Sequence, residues 1–386
     1  MVDVVICSRP GGRANGGDVL VVRVVSPVSS RESWTVLGDD DRPVEPVERY
    51  LAYLSGIERS PNTVKAYAHD LKDWFEFLAD RELDWRSVKL EDVAGFVAWL
   101  RAPAQARDGR VAVLPSVAPA CSESTVNRKL SALGSFYSHA ARVGVDVAEL
   151  LASWQVGGSR GGWKPFLHHI SKSMPQKRRA VSLKAPKKLP RVLTVDQVQA
   201  LLDGCGHLRD RLLLAVLHDT GMRVGEALGL RHNDIAAAER EITVVRRDND
   251  NGARAKSVTS RTVPVSAELI RLYADYLHDE YGDLDSDYVF VNLWGRPFGR
   301  PWTYAAVYDL VCRLRERTGV DFDPHWLRHT AATRLLRDGV GLEVVAELLG
   351  HSNVTVTAAT YGHLTVEDAR EVLEKAGWFD DRRVVW

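Results

Sequence analysis

Six side chains in the C-terminal half have types suited to one reaction, the breaking and rejoining of a phosphodiester. Arg223 follows Gly221, where a break in a helix can aim a guanidinium into a cleft. His325 and Arg328 stand three apart, a spacing that puts both on one helical face. His351 follows Gly350 at a helix end, and Tyr361 lies ten residues further on. Lys256 sits in the loop between two alternating segments, where Arg254 competes for the same role. A guanidinium presents a planar fork that grips two phosphate oxygens and stays charged at any ordinary pH. A phenol can attack phosphorus to make a covalent ester. Imidazole can handle the phenolic proton, and an ammonium can protonate the departing oxygen. No carboxylate cluster is spaced to hold magnesium, so the arginines must supply the charge that stabilises the transition state.

Each residue also has a plainer reading. Arg223 taken alone is a surface arginine, and Tyr361 taken alone is a core aromatic, although Thr360, Gly362 and His363 around it favour exposure. His325 and His329 have the i, i+4 spacing of zinc ligands, but neither a third ligand nor an H-E-x-x-H glutamate accompanies them.

The elements that must position these groups follow from periodicity. Arg209–Thr220 reads as a helix stopped by Gly221, and Val224–Leu230 as a further turn or two. Glu241–Arg247 and Ser260–Val265 alternate as strands around the turn Asp250-Asn251-Gly252. Tyr288–Val291 reads as a short strand. Ala267–Tyr281, Trp302–Thr318, His325–Asp338, Leu342–Leu349 and Val366–Lys375 read as helices. Thr194 caps a helix over Val195–Leu202.

Residues 44–150 read differently, as an all-helical unit. It comprises a short helix at Pro46–Leu54, a helix opened by Ser60 as N-cap with Pro61 at the first helical position, and segments at Glu91–Leu100 and Ser124–Arg142. Trp74, Trp85 and Trp99 are expected in its core. Residues 1–43, rich in Gly, Val, Ser and Asp, lack a helical period and read as a disordered or weakly ordered leader.

At this point several boxes resemble those of the tyrosine recombinases, the phage-integrase type of DNA strand-exchange enzyme. Thr220-Gly221-Met222-Arg223-Val224-Gly225-Glu226-Ala227-Leu228 resembles the first arginine box, and His325-Trp326-Leu327-Arg328-His329-Thr330 the H-x-L-R-H-T box. Leu348-Leu349-Gly350-His351-Ser352 followed by Thr360-Tyr361-Gly362-His363 resembles the nucleophile box. Lys256 ahead of Arg261-Thr262-Val263-Pro264-Val265 resembles the hairpin lysine before the usual R-x-V-P-L strand. Ser60-Pro61-Asn62-Thr63 and Thr125-Val126-Asn127-Arg128-Lys129-Leu130 resemble the helical core-binding domain. The boxes are weak singly and specific in this order, over about residues 44–376.

The resemblance implies a mainly α protein. An N-terminal helical, SAM-like core-binding domain (44–150) and a basic linker (151–193) would precede a C-terminal α+β catalytic domain with a small antiparallel sheet (194–386), the two domains clamping a duplex. It implies Tyr361 as nucleophile, Arg223 and Arg328 as phosphate clamps, and Lys256 as general acid. His325 would move a proton and His351 would hydrogen-bond the phosphate, with Glu226 and His329 in support. It implies no metal, ATP or other cofactor, double-stranded DNA with specific sites as partner, and a homotetramer on DNA. That assembly would be held by the Val366–Lys375 helix passed to a neighbour, for which packing within its own subunit is the alternative. Linker and boxes look closest to recombinases of transposons and integrated elements; resolution of chromosome or plasmid dimers is a further possibility. A type IB topoisomerase, which shares this chemistry, and a catalytically silent DNA-binding regulator are the competing functions.

Bulk properties fit these expectations. The 386 residues are 45% hydrophobic and 26% charged, with 51 basic and 51 acidic side chains. That neutrality hides a strong asymmetry. From Leu150 to Val195 there are ten basic residues and no acidic one: Arg160, Lys164, Lys172, Lys177, Arg178, Arg179, Lys184, Lys187, Lys188 and Arg191. Such a belt suits phosphates, and Arg128 and Lys129 of the helical unit are counted as DNA contacts with it. The four cysteines form no pair suggesting a disulfide framework or zinc site. With Asp3 where a signal peptide would be basic, and the Val19–Val28 stretch too short to span a membrane, the expectation is a cytoplasmic, nucleoid-associated protein without a membrane anchor.

Overall fold

The computed structural model describes residues 5–6, 19–25, 32–103, 106–107, 118–145, 147, 152–156, 175–186, 190–255, 260–351 and 353–361. They fall into two compact units, Met1–Lys187 and Lys188–Trp386.

The first unit is built on four helices: α1 (Glu45–Gly56), α2 (Pro61–Ala79), α3 (Leu90–Arg101) and α4 (Glu123–Ala141). Their starts are chemically marked. Ser60 Oγ accepts the Thr63 backbone N–H at 3.2 Å, and Ser122 Oγ accepts that of Thr125 at 3.4 Å, each satisfying a donor left open by the first turn. Val64, Leu71, Trp74 and Leu78, spaced along one face of α2, are all buried with Phe96, Leu130, Leu133 and Phe136. Trp74 Nε1 donates to the Tyr137 hydroxyl (3.2 Å), which donates to the Trp85 carbonyl (2.8 Å), so the polar ends of two core aromatics are satisfied. Trp74 and Trp99 lie in the core and Trp85 packs, partly buried, against it.

Residues 1–43 are not uniformly without structure, which corrects the expected leader. β1 (Val5–Ile6), β2 (Leu20–Val25) and β3 (Glu32–Leu37) form an antiparallel sheet in that order. Val36 is completely buried and joins Val19 and Val47 in the core. Thr35 hydrogen-bonds Glu48 of α1, and Lys65 of α2 stands 4.6 Å over the Trp34 ring. The valines that gave this stretch no helical period fall in the strands, where β-branched side chains are favoured. The stretch read as a linker likewise contains a strand pair, β4 (Ala152–Val156) with β5 (Pro175–Arg179).

The second unit holds α5 (Val195–Asp203), α6 (Leu208–Thr220), α7 (Val224–Leu228), α8 (Ala267–Tyr276), α9 (Tyr304–Thr318), α10 (Pro324–Arg337), α11 (Leu342–Leu349) and α12 (Val354–Tyr361). α6 buries Leu212, Leu213, Leu214, Val216 and Leu217 in its middle, together with the paired Arg209 and Asp210 near its start. One antiparallel sheet, β6 (Ile235–Ala236), β7 (Glu241–Val244) and β8 (Arg261–Pro264), pairs Ile242 with Val263 and Val244 with Arg261. The mainly helical class with a small antiparallel sheet is as the sequence reads.

Three local expectations change. β7 and β8 are shorter than their alternating stretches. The segment Tyr288–Val291 is not a strand but makes isolated bridges, Arg231 to Tyr288 and Val291 to Pro301, its last three residues wholly buried. The helix expected to Tyr281 ends its α-helical part at Tyr276 and continues as a π-turn over Leu277–Tyr281.

Candidate active site

The site is made where helix ends meet. α6 stops at Gly221, whose φ of +64° is the left-handed cap that glycine adopts without strain. A Cβ there would also stand 2.7 Å from Leu349 Cδ2. Two residues on, Arg223 occupies the N-cap of α7. Its backbone N–H donates to Glu226 Oε2 (3.1 Å) and its Nη1 to Oε1 (3.0 Å). α10 begins with Asp323 Oδ1 accepting the His325 N–H at 2.8 Å, and carries His325, Arg328 and His329 along its length. α11 ends at Gly350, again left-handed at φ +64°, and delivers His351.

These ends are joined by hydrogen bonds. Arg328, only 1% exposed, donates from Nη1 to the Gly221 carbonyl (2.7 Å) and from Nη2 to the Leu349 carbonyl (2.8 Å). The same Nη2 lies 2.8 Å from His351 Nε2. An arginine only donates, so His351 Nε2 must accept. The ring proton is therefore on Nδ1, where it donates to Thr357 Oγ1 at 2.7 Å. Thr357 is fully buried in α12, and Tyr361 ends that helix one turn, about 6 Å of rise, further on.

The balance of charge is positive. Arg223, Arg261 and Arg328 all act on His351, with Glu226 the carboxylate opposing them. Burial first, and then the three guanidinium groups, push the His351 pKa down to about 4. Burial and the neighbouring His325 and Arg328 take His329 to about 4 as well, and burial and Arg328 lower His325. All three imidazoles are thus neutral at neutral pH. Burial alone would raise the Glu226 pKa, but the hydrogen bonds and charges of Arg261 and Arg223 outweigh it and hold the carboxyl ionised. A surplus of fixed cations around neutral imidazoles has the charge pattern that suits a phosphate-like anion. Beside it lies an open depression of about 380 Å³ lined by Arg223, Gly225, Tyr304, Tyr308 and His325.

Arg223, His325, Arg328, His351, Glu226 and His329 therefore converge. Arg223, with 27% of its side chain exposed, offers surface to a ligand, whereas Arg328 lies beneath it and braces the helix ends. Tyr361 is placed by the backbone of α12, and Lys256 lies outside the described residues. Three participants escaped the sequence reading of the site: Arg261, Thr357 and Tyr304. Arg261 had a signal, since it shares the strand face of buried Val263 and is a charge in an inward register. Thr357 and Tyr304 had none. The H-H spacing of His325 and His329 brings the rings to 4.5 Å, edge to face. Among the described residues no group of three His, Cys, Asp or Glu is arranged to hold a metal ion.

The expected DNA contacts divide. Lys129 is 11% exposed and paired with Asp70 (3.2 Å) and Asp73 (2.7 Å), so its charge is answered within the helical unit. Arg128 binds Asp70 but keeps half its side chain exposed. Lys184 is exposed, on a segment fixed to α4 by Asn127, which exchanges 2.8 Å hydrogen bonds with both backbone groups of Leu183. Lys177, Arg178 and Arg179 lie in β5, and Arg160, Lys164, Lys172, Lys187 and Lys188 fall outside the described residues.

Comparison with known proteins places this geometry. Residues 191–368 match the phage integrase family, and residues 47–144 match the phage integrase N-terminal SAM-like domain. Transposase A from transposon Tn554 of Staphylococcus aureus is 38% identical over 348 residues, spanning 89% of this chain and 93% of the transposase. Tyrosine recombinase XerD of Mycobacterium tuberculosis is 31% identical over 344 residues, 84% of this chain and 95% of that protein. Among solved structures, the Tn1549 transposon integrase in complex with transposon right end DNA aligns with a TM-score of 0.57 at 19% identity, over 86% of this chain and 99% of the integrase. The XerH recombinase bound to a palindromic difH substrate aligns with a TM-score of 0.54 at 21% identity, over 83% and 81%. At those identities the structural likeness is one of fold. With both domains matched in order and a relative of 38% identity spanning nearly the whole chain, the protein belongs to the phage integrase family of tyrosine recombinases.

Proposed function

We propose that this recombinase cuts and rejoins double-stranded DNA at specific sites through a 3′-phosphotyrosine. The observation that carries the proposal is the convergence of three guanidinium groups and a neutral His351, itself bonded to the helix that ends at Tyr361. The Tyr361 oxygen attacks the scissile phosphorus, forming a phosphotyrosine as the bond to the 5′-oxygen breaks. Lys256 gives that oxygen its proton, and His325 takes up the phenolic one. Arg223 grips a non-bridging oxygen, Arg328 stabilises the developing charge from beneath, and His351, with both ring nitrogens engaged, holds Arg328 against the helix that ends at Tyr361. The phosphotyrosine keeps the ester bond energy, so the 5′-hydroxyl of a partner duplex reverses the step without ATP or a metal ion.

Exchange between two duplexes calls for four subunits, and we infer a homotetramer on DNA, with the basic residues of 151–193 following the backbone. The relatives named for transposons support action on a mobile element. Among the described residues no helix is long and apolar enough to cross a membrane.

The test is a nicked suicide substrate carrying the recombination site. The full-length protein is expected to form a covalent adduct with the 3′ end at the break, and Tyr361→Phe none. An adduct that persists in Tyr361→Phe overturns the nucleophile. A plasmid with two sites separates recombination from relaxation: recombinant products support the proposal, and relaxation without recombinants favours a topoisomerase. A protein that binds the site but makes no adduct would be a silent regulator.

A further inference from the structure

Arg261 touches more of the site than its place in a strand suggests. Its Nη2 donates to Glu226 Oε2 at 2.6 Å and its Nη1 approaches Oε1 at 3.4 Å, while its Nε donates to the Leu348 carbonyl at 2.8 Å. Its side chain is 7% exposed and that of Glu226 not at all. The next carbonyl, of Leu349, is the one that holds Arg328. Against the guanidinium lies Gly350, at φ +64°, where a Cβ would come within 2.6 Å of Arg261 Nη1, so the guanidinium and the turn before His351 are in close approach.

We propose that Arg261 is a positioning residue for strand cleavage, which neutralises Glu226 so that Arg223 is left to the phosphate and fastens the end of α11 that orients Arg328 and His351. The inference rests on the recombinase reading above. The reasoning is one of charge and geometry. Glu226 is a buried carboxylate with two cationic partners. With Arg261 present, the three groups sum to one positive charge, and Arg223, the partly exposed partner, carries it toward the depression. Without Arg261, the buried carboxylate draws Arg223 inward as its sole counter-ion, because an unpaired buried charge is costly. The Leu348 carbonyl loses its donor at the same time, loosening the turn that presents His351. Arg261 begins β8, five residues after Lys256, so the strand leaving that hairpin is pinned to the same helix end.

Full-length wild type, Arg261→Ala, Arg261→Lys, Glu226→Gln and the Arg261→Ala/Glu226→Gln double variant would be compared for DNA affinity and for single-turnover cleavage of the suicide substrate. Arg261→Ala is expected to cleave about tenfold to a hundredfold more slowly, the cost of a small misplacement of reacting groups, at unchanged DNA affinity. Arg261→Lys should recover part of the rate, since an ammonium keeps the charge but cannot serve both Glu226 and the carbonyl. In the Glu226→Gln background Arg261→Ala should cost less than in wild type, which a role in folding alone does not produce. Equal cleavage by wild type and Arg261→Ala, or equal cost in both backgrounds, overturns the proposal. Where Arg261→Ala does not fold, Arg261→Lys decides: slowed cleavage at unchanged affinity supports the proposal, and wild-type cleavage overturns it. A wild-type protein that forms no adduct sinks the recombinase reading and this inference together.

Discussion

His351 is the residue on which charge and hydrogen bonding agree. It accepts from a buried guanidinium on one nitrogen and donates to a buried hydroxyl on the other, an arrangement only the neutral ring satisfies. This has a consequence for acid stability. In the unfolded chain the ring takes up a proton near its ordinary value of 6.5; in the folded protein it does so only at about 4. Between those limits the unfolded state binds more protons, so stability is present above 6.5 and is lost as pH falls toward 4. His329 contributes in the same sense. Denaturant unfolding of wild type and His351→Gln across that window should show the variant losing less stability on acidification. Parallel losses would mean that His351 is not held neutral. Arg223 and Arg328 also part company at this scale. Removing Arg223 should slow cleavage with the fold intact. Arg328→Ala, which leaves two carbonyls and an imidazole without their donor, should in addition lower stability by a few kcal/mol, about 1–3 for each buried group left unsatisfied, in the same unfolding measurement.

At the scale of elements, Arg223, His351 and Tyr361 sit at helix ends while His325 and Arg328 lie along α10, and two left-handed glycines shape the turns that lead to Arg223 and His351. Gly221 closes α6 and turns the chain toward Arg223; its carbonyl also receives Arg328. Gly221→Ala therefore meets two penalties, about 1–2 kcal/mol for an L-residue in the left-handed region and the overlap with Leu349 Cδ2 at 2.7 Å. Thermal or denaturant unfolding should show a loss of at least that size, together with slower cleavage; a neutral Gly221→Ala would show that the cap is dispensable. α12 is a different kind of element. Val354–Tyr361 has little amphipathic pattern, and the His351–Thr357 hydrogen bond ties it to the end of α11. Thr357→Val should weaken the delivery of Tyr361 while sparing DNA affinity, a difference visible in adduct formation against a binding isotherm.

The whole molecule pairs a helical unit whose aromatic core carries its own small sheet with a second unit that holds the candidate site, and its neutral total conceals one strongly basic stretch. If that stretch follows DNA, affinity must fall steeply with salt, the logarithm of the association constant dropping about 0.9 per phosphate contact for each log unit. Replacing Lys184, Lys187 and Lys188 by alanine should flatten that slope by a comparable amount for each lysine that touches phosphate. An unchanged slope in a salt titration would remove these three from the interface. Asn127 deserves a parallel measurement, since its paired bonds to Leu183 set where the stretch leaves α4.

Sequence alone marked most helices of both units, though not Val354–Tyr361, because caps such as Ser60 and Thr194 and the apolar period act within a few residues. It also determined the chemistry, since few sets of side chains combine two arginines, imidazoles and a tyrosine in this order. What it left open was whatever depends on partners distant in the chain. The strands Leu20–Val25 and Glu32–Leu37 exist because β3 has α1 and α2 to lie on, and Lys129 is ion-paired because Asp70 and Asp73 come beside it from another helix. Arg261 acquired its meaning from Glu226, 35 residues away, and from Leu348, 87 residues away. A local pattern states what a residue prefers; only the packed structure decides which buried charge it must answer.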